Sequence, residues 1–144
     1  MSDHSIYETL GYLMTQICRG HRNRAQELLS ELGLYTGQEI LLMHLWEQDG
    51  RTQSELADLM CIQPATLTKS IDRMSQVGLI ERRPDTEDGR VSRVYLRPEG
   101  RAMRESVEAV WRQVEAESFA NLTTEERILL RRLLMQVNRN INPE

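Results

Sequence analysis

Residues 52–96 read TQSELADLMCIQPATLTKSIDRMSQVGLIERRPDTEDGRVSRVYL. Thr52-Gln53-Ser54-Glu55 fits a capping box, in which a Thr hydroxyl and a Glu carboxylate satisfy the exposed N–H groups of a helix start. It predicts a short helix over Gln53–Met60, with Leu56, Leu59 and Met60 inward. Gln63-Pro64 opens the next helix, because proline in the first turn forfeits no needed N–H. That helix runs to about Val77 and stops at Gly78, and the short connection before it has the spacing of a helix-turn-helix. Leu79–Arg83 then alternates apolar and charged residues, Pro84–Gly89 is turn chemistry, and Val91–Leu96 alternates again with Val94 and Leu96 on one face. Two helices followed by such a hairpin make a winged helix-turn-helix, with the Gln63–Val77 helix placed to enter a major groove.

The flanks read as helices. Ile6, Leu10, Leu13, Met14, Ile17, Leu28 and Leu29 give Ser5–Ser30 helical periodicity, ended by Gly33. Thr36-Gly37-Gln38-Glu39 fits a second capping box, and the helix it starts is apolar on most sides (Ile40, Leu41, Met43, His44, Leu45, Trp46) before Asp49-Gly50 closes it. One long helix is expected over Glu99–Asn121, carrying Met103, Val107, Val110, Trp111, Val114 and Phe119. Thr123–Glu126 starts a last helix with Leu129, Leu130, Leu133, Leu134, Val137 and Ile141. The fold class is mainly α with a small β-hairpin wing. Residues 1–144 form a single unit, in which 36–97 is the winged helix-turn-helix region and 5–30 and 99–141 are flanking helices.

On the Gln63–Val77 helix, Leu67, Ile71 and Met74 form one stripe. Ala65, Thr66, Lys69, Asp72, Arg73 and Gln76 point the other way. Thr66 and Thr68 offer hydroxyls or a methyl to base edges, while Lys69 and Arg73 reach guanines or phosphates. Asp72 fits such a face only if paired with Lys69, Arg73 or a wing arginine. In the hairpin, Arg90 at the end of the turn is the candidate for the minor groove. Asp85 and Asp88 are expected to orient its guanidinium, and Arg82, Arg83 and Arg93 are phosphate contacts or salt bridges.

The net charge of −4 gives no hint of nucleic acid, so recognition would rest on a local patch. Lys69 is the only lysine, and arginine supplies the rest of the positive charge as planar forks suited to phosphates and base edges. Two cysteines, Cys18 and Cys61, make neither a disulfide scaffold nor a metal motif, and His4, His21 and His44 are scattered, so no metal and no cofactor is expected. No stretch reaches transmembrane length and no basic leader precedes an apolar run, which implies no membrane partner and a cytoplasmic location. No nucleophile–base arrangement, phosphate-binding glycine loop or recognisable carboxylate pair argues for an enzyme.

Residues Ser54–Arg101 resemble the MarR family of bacterial transcription regulators. SELADLMCIQPATLTKSIDRMSQVGLIERR is similar to its recognition helix, and DTEDGRVSRVYLRPEGR to its wing signature, D-x-x-D-x-R followed by a strand and a glycine. The likeness extends in outline to the whole chain, including GLYTGQEILLMHLWE. It implies that Asp88 is the wing aspartate, Arg90 the wing-tip arginine, and Gln63 to Arg73 the base-contacting helix. Three departures stand out: Cys61 where relatives usually have glycine, Arg97-Pro98 in place of a Leu-Thr helix start, and a second-helix cap shifted by Tyr35-Thr36.

The resemblance further implies a homodimer with interlocked first and last helices, bound as a repressor to double-stranded DNA at a pseudo-palindromic operator. The leucine-rich last helix agrees, since one chain offers little to bury it. The release signal implied is a small aromatic or phenolic effector. Its candidate liners are Met14, Ile17, Cys18, His21 and Arg22 on the first helix and Met43 and His44 on the second, against a plain core or surface role for each. Redox sensing through Cys18, with Arg19 and Arg22 nearby, is an alternative to a buried, inert thiol, although peroxide-sensing relatives place their cysteine nearer the helix start. A winged-helix protein-interaction module is the other alternative, disfavoured by the cationic, small-residue helix face.

Overall fold

The structure, a computed structural model, describes residues 5–144, so His4 lies outside the described residues. A single 3₁₀ turn at Ile6–Glu8 leads into α1 (Leu10–Ser30), α2 (Gln38–Glu47), α3 (Gln53–Met60) and α4 (Pro64–Gln76). Strands β1 (Ile80–Pro84) and β2 (Ser92–Leu96) follow, then α5 (Pro98–Ala102), α6 (Arg104–Ser118) and α7 (Thr124–Ile141). The mainly helical winged helix-turn-helix expected from the sequence is therefore present.

Its core sits where α2, α3, α4, the hairpin and α6 meet. Leu41, Leu42, Leu56, Leu67, Ile71, Met74, Val94 and Val107 are fully shielded there. Burying each side chain of this kind is worth about 1.5–3 kcal/mol, which makes this cluster the main cohesive element. Leu59, expected inward, is instead exposed, and Ala57 takes the buried position on α3 beside Leu56. The buried pair Leu56 and Ala57 spans about 100° of the helix with Met60 between them, and Leu59, about 60° to the other side of Leu56, falls outside that arc.

Caps explain where helices begin. Thr9 accepts from the Tyr12 N–H at 3.1 Å, so α1 starts at Leu10 and not at Ser5. The box expected at Thr36 does not form. The Thr36 N–H and hydroxyl both donate to Gln26 Oε1 on α1, Gly37 becomes the cap residue at φ 102°, and Glu39 accepts from the Gly37 N–H at 2.8 Å. Glu39 is consequently buried, and desolvation pushes its carboxyl upward against those backbone bonds. Thr52 caps α3 by accepting the Glu55 N–H at 3.1 Å, without the Glu55 side-chain half of the expected box, whereas Thr123 with Glu126 completes a full capping box on α7.

The helix-turn-helix turn places Cys61 at φ 52°, in the left-handed region where glycine is the ordinary occupant. The departure noted at this position therefore substitutes the residue and keeps the backbone shape. The hairpin pairs Ile80 with Leu96 through to Pro84 with Ser92, and the Asp85 N–H closes its loop on the Val91 carbonyl at 2.8 Å. Pro84 thus ends β1 and does not start the loop.

The long helix expected over Glu99–Asn121 is interrupted at Met103, and α6 ends at Ser118. The first piece, α5, is drawn onto the hairpin. Arg97 donates its N–H to the Leu79 carbonyl at 2.9 Å, and Trp46 Nε1 reaches the Gly100 carbonyl at 3.0 Å. Arg97 caps α5 without a side-chain bond, so Pro98 and these tertiary contacts replace the usual capped start. Across the top, Arg24 of α1 grips Glu117 of α6 with Nε–Oε2 2.7 Å and Nη2–Oε1 2.9 Å. That bidentate pair holds the Glu117 carboxyl down at about 2.

The α5 approach leaves no room at Gly100. A Cβ there would lie 2.2 Å from the Leu79 carbonyl oxygen, which the Arg97 N–H also holds. Gly100→Ala is expected to destabilise the fold by about 3 kcal/mol, the upper end of overpacking costs. Urea unfolding checks it, and an unchanged midpoint would show that α5 is not pinned.

Candidate nucleic-acid interface

The recognition-helix geometry follows from three buried residues. Leu67, Ile71 and Met74 seat α4 on the core, and this turns Gln63, Ala65, Thr66, Lys69, Arg73 and Gln76 to solvent. Gln63 at the cap makes no side-chain bond to the helix start, so the N–H groups of the first turn face outward with the positive end of the helix dipole. Thr68 departs from the expected outward set. It is half-buried, its hydroxyl donates to the Pro64 carbonyl at 2.9 Å and accepts from Gln53 Nε2 at 2.8 Å. Asp72 finds the partner it needed in a wing arginine, with Arg82 Nη1 at 2.6 Å.

The wing arginines divide by what holds them. Arg82 is tied to α3 and α4. Arg83 lies 4.4 Å above the Tyr95 ring and pairs with Glu81, whose carboxyl is lowered by that bond and which Arg97 also approaches at 3.8 Å. Arg93 donates from Nε to Asp85 at 2.9 Å and from Nη1 to the Gly50 carbonyl at 2.8 Å, fastening the hairpin to the end of α2. Arg90 alone stands clear: its side chain is 92% exposed, against 31–56% for the other four.

Arg90 is nevertheless oriented. Its Nε donates to Asp88 Oδ1 at 3.1 Å, its Nη2 to Oδ2 at 3.3 Å, and its backbone N–H also donates to Oδ1. These bonds hold the Asp88 carboxyl below the usual carboxylate range. Asp85 does not share the task expected of it. It serves Arg93, and it reaches the tip only by accepting the Asp88 N–H at 3.3 Å. The physical reason is the loop closure at Asp85 and Val91, which sets Asp85 at the root of the wing while Arg90 lies beyond it. Sequence reasoning missed Gln53 and Tyr95; both depend on pairings between elements that no local pattern reports.

The effector candidates scatter. Met14, Cys18 and Arg22 border a cleft of about 590 Å³ with Ile141, whereas His21 sits with Glu39 and Trp111 at a separate crevice between α1, α2 and α6. Met43 lines a third cleft, of about 510 Å³ between α2 and α6, with Trp46 and Trp111 and with Arg104 and Arg112 offset by Glu47 and Glu108. Ile17 is exposed on α1, and His44 is half-buried on α2 at no described cleft. Cys18 is exposed, contrary to a buried thiol, and so is Cys61.

Comparison with known proteins agrees with this geometry. The family model described as "MarR family" matches residues 36–92. The chain is 30% identical to the uncharacterized HTH-type transcriptional regulator YsmB of Bacillus subtilis, over 81% of this chain and 80% of that protein. It is 28% identical to an HTH-type transcriptional repressor of Mycobacterium bovis, over 87% of this chain and 90% of that one. A crystal structure of a mutant MarR from E. coli complexed with operator DNA superposes with a TM-score of 0.83 at 26% identity, over 92% of this chain and 98% of that chain.

The lowered carboxyls carry a sign. A depressed Asp contributes above its ordinary value, near 3.8, and loses that contribution only as pH falls through the depressed one. Asp85 and Asp88 are therefore expected to stay ionised across pH 5–8 (roughly the span in which carboxylates matter physiologically) and to titrate below ordinary Asp. Carboxyl-carbon NMR titration checks this; an Asp88 midpoint at or above the ordinary value would mean that Arg90 is not held.

Proposed function

This chain belongs to the MarR family of transcriptional regulators, and from that premise we propose that it acts as a homodimeric repressor of a pseudo-palindromic operator, released by a small aromatic or phenolic effector. As members of a family of DNA-binding regulators, such chains are not enzymes. One observation carries the reading of the interface: Arg90 projects free from the wing, aimed by Asp88, while α4 presents Gln63, Ala65, Thr66, Lys69 and Arg73 to the same solvent. We assign base-edge contacts to Gln63, Ala65, Thr66, Lys69 and Arg73 and a minor-groove contact to Arg90. Asp88 acts by orienting Arg90. Thr68, Arg82 and Arg83 are withdrawn from direct contact, because their polar groups are engaged within the chain.

The dimer reading rests on unburied apolar surface. The α7 helix has 18 residues and buries none of them, and Leu129, Leu133 and Leu134 are about half exposed. The first half of α1 is similar, with Leu10 80% exposed and Leu13 and Ile17 beyond half or at half. Surface of this kind on α1 and α7, within the flanking stretches 5–30 and 99–141, marks an association site. A two-fold pair would set two α4 helices about one DNA turn apart.

For the effector, the α2–α6 cleft fits better than the α1 residues first considered. Met43, Trp46, Val107 and Trp111 supply apolar walls; Arg104 is paired with Glu108 at 2.9 Å and Glu47 shares the lining, so Arg112 is the charge a small aromatic anion would meet there.

Two variants separate DNA contact from assembly. Arg90→Ala is expected to sediment as a dimer and to bind a duplex selected by the wild type at least about tenfold more weakly. Leu133→Glu is expected to sediment as a monomer and to lose binding with it. Wild-type affinity in Arg90→Ala would remove the wing from the interface. For the cleft, Trp111→Ala should abolish the melting-temperature rise that a responsive phenolic acid gives the wild type; a retained rise would place the effector elsewhere.

A further inference from the structure

Arg82 sits at the root of the wing, where its positive charge invites assignment to a DNA phosphate. Its bonds point inward instead. Nη1 donates to Asp72 Oδ1 at 2.6 Å, Nη2 to the Thr68 carbonyl at 3.2 Å, and Nε to Gln53 Oε1 at 3.3 Å. Gln53 turns its amide nitrogen to the Thr68 hydroxyl at 2.8 Å, and that hydroxyl donates to the Pro64 carbonyl at 2.9 Å. One guanidinium thus joins β1, the first turn of α3 and the middle of α4 in a closed ring of hydrogen bonds. Only a planar fork with several fixed N–H directions can serve three acceptors on two helices at once.

The apolar seat of α4 leaves one motion weakly restrained. Leu67, Ile71 and Met74 hold the helix against the core, but dispersion contacts are non-directional and resist rotation about the helix axis poorly. Hydrogen bonds are directional, and the ring grips α4 on the flank between its buried stripe and its outward face, at Thr68 and Asp72. A rotation of roughly 10° moves a side-chain tip by about 1 Å at the radius of a helix with its side chains. That displacement is enough to spoil a bidentate contact to a base edge, whereas a contact to a phosphate tolerates it.

We propose that Arg82 is a positioning residue for sequence readout: with Asp72, Gln53 and Thr68 it fixes the rotation of α4 relative to the wing, and so sets selectivity among DNA sequences without touching DNA. The proposal rests on the DNA-binding reading above. It makes Asp72, an acid on a surface meant for an anion, a working part of the interface. The Asp72 charge weakens attraction to phosphate but supplies the anchor for Arg82.

The two roles open to Arg82 give opposite results. A duplex enriched by the wild type from a random-sequence library serves as specific probe, and a scrambled duplex of the same composition as non-specific probe. Affinities of wild type, Arg82→Gln, Asp72→Asn and the double variant are measured over a salt series, with melting curves for each. A positioning role predicts that both single variants lose selectivity, the ratio of specific to non-specific affinity, on the order of tenfold. It predicts an unchanged slope of log affinity against log salt, and a double variant no worse than either single one. A phosphate contact predicts instead that Arg82→Gln weakens both probes alike and lowers the slope by about 0.9, while Asp72→Asn tightens binding by removing a repulsive charge. Either of those results overturns the proposal, as does a fall in melting temperature with selectivity intact. Should Arg82→Gln not fold, the nearly isosteric Asp72→Asn decides alone, since the two roles predict opposite signs for it. A library from which the wild type enriches nothing overturns the DNA reading itself, and the proposal with it.

Discussion

Leu67, Ile71 and Met74 on α4 have no solvent exposure, and the arrangement of the whole molecule turns on that seat. Once these three positions, spaced four and three residues apart, are committed to the core, they decide which face of the helix looks outward, and only its fine rotation is left to the hydrogen bonds of Arg82. The same cluster gathers Leu56 from α3, Val94 from β2, Leu41 and Leu42 from α2 and Val107 from α6. The elements that carry the proposed interface residues are thereby anchored to one body, so the helix face and the wing tip are presented by a common scaffold.

An acidic chain can bind an anion when its positive charges differ in how firmly they are occupied. Here Asp72, Glu81 and Asp85 neutralise Arg82, Arg83 and Arg93 at the root of the wing, where the pairs are partly shielded and help fix the hairpin. Exposed ion pairs of this type contribute little to stability, typically about 0–1 kcal/mol, so their value lies in geometry. Asp88 treats Arg90 differently. It fixes the direction of the guanidinium while leaving most of that side chain in solvent. Lys69 and Arg73 complete the exposed positive charge on α4, and the net charge of −4 is carried elsewhere on the surface.

What was legible in the sequence was whatever depends on near neighbours. Proline at the start of α4, the capping residues Thr52 and Thr123, the alternation in the hairpin and the stripe on α4 are all set within a few residues of chain. What escaped depends on distant partners. Gln26, ten residues away on α1, outbids Glu39 for Thr36 and moves the start of α2. Gln53 takes Thr68 off the outward face across fifteen residues. Arg93 claims Asp85 because loop closure at Val91 places them together. The α2–α6 cleft joins Trp46 to Trp111 only through packing, so of its lining only Met43 stood out among the candidates on the first two helices. In each case a local pattern named a competent group, and tertiary competition chose its partner.

The last helix has a consequence for how stability must be understood. With 18 residues, a complete capping box and no buried side chain, α7 has local order but almost no cohesive energy from its own chain. In the proposed dimer its burial is supplied by a second molecule, so part of the folding free energy is a bimolecular quantity. Dilution then acts like a denaturant: the melting temperature falls with protein concentration even though nothing in the solvent has changed. Synthesis and degradation of the regulator would set not only how much of it exists but what fraction of it is fully formed.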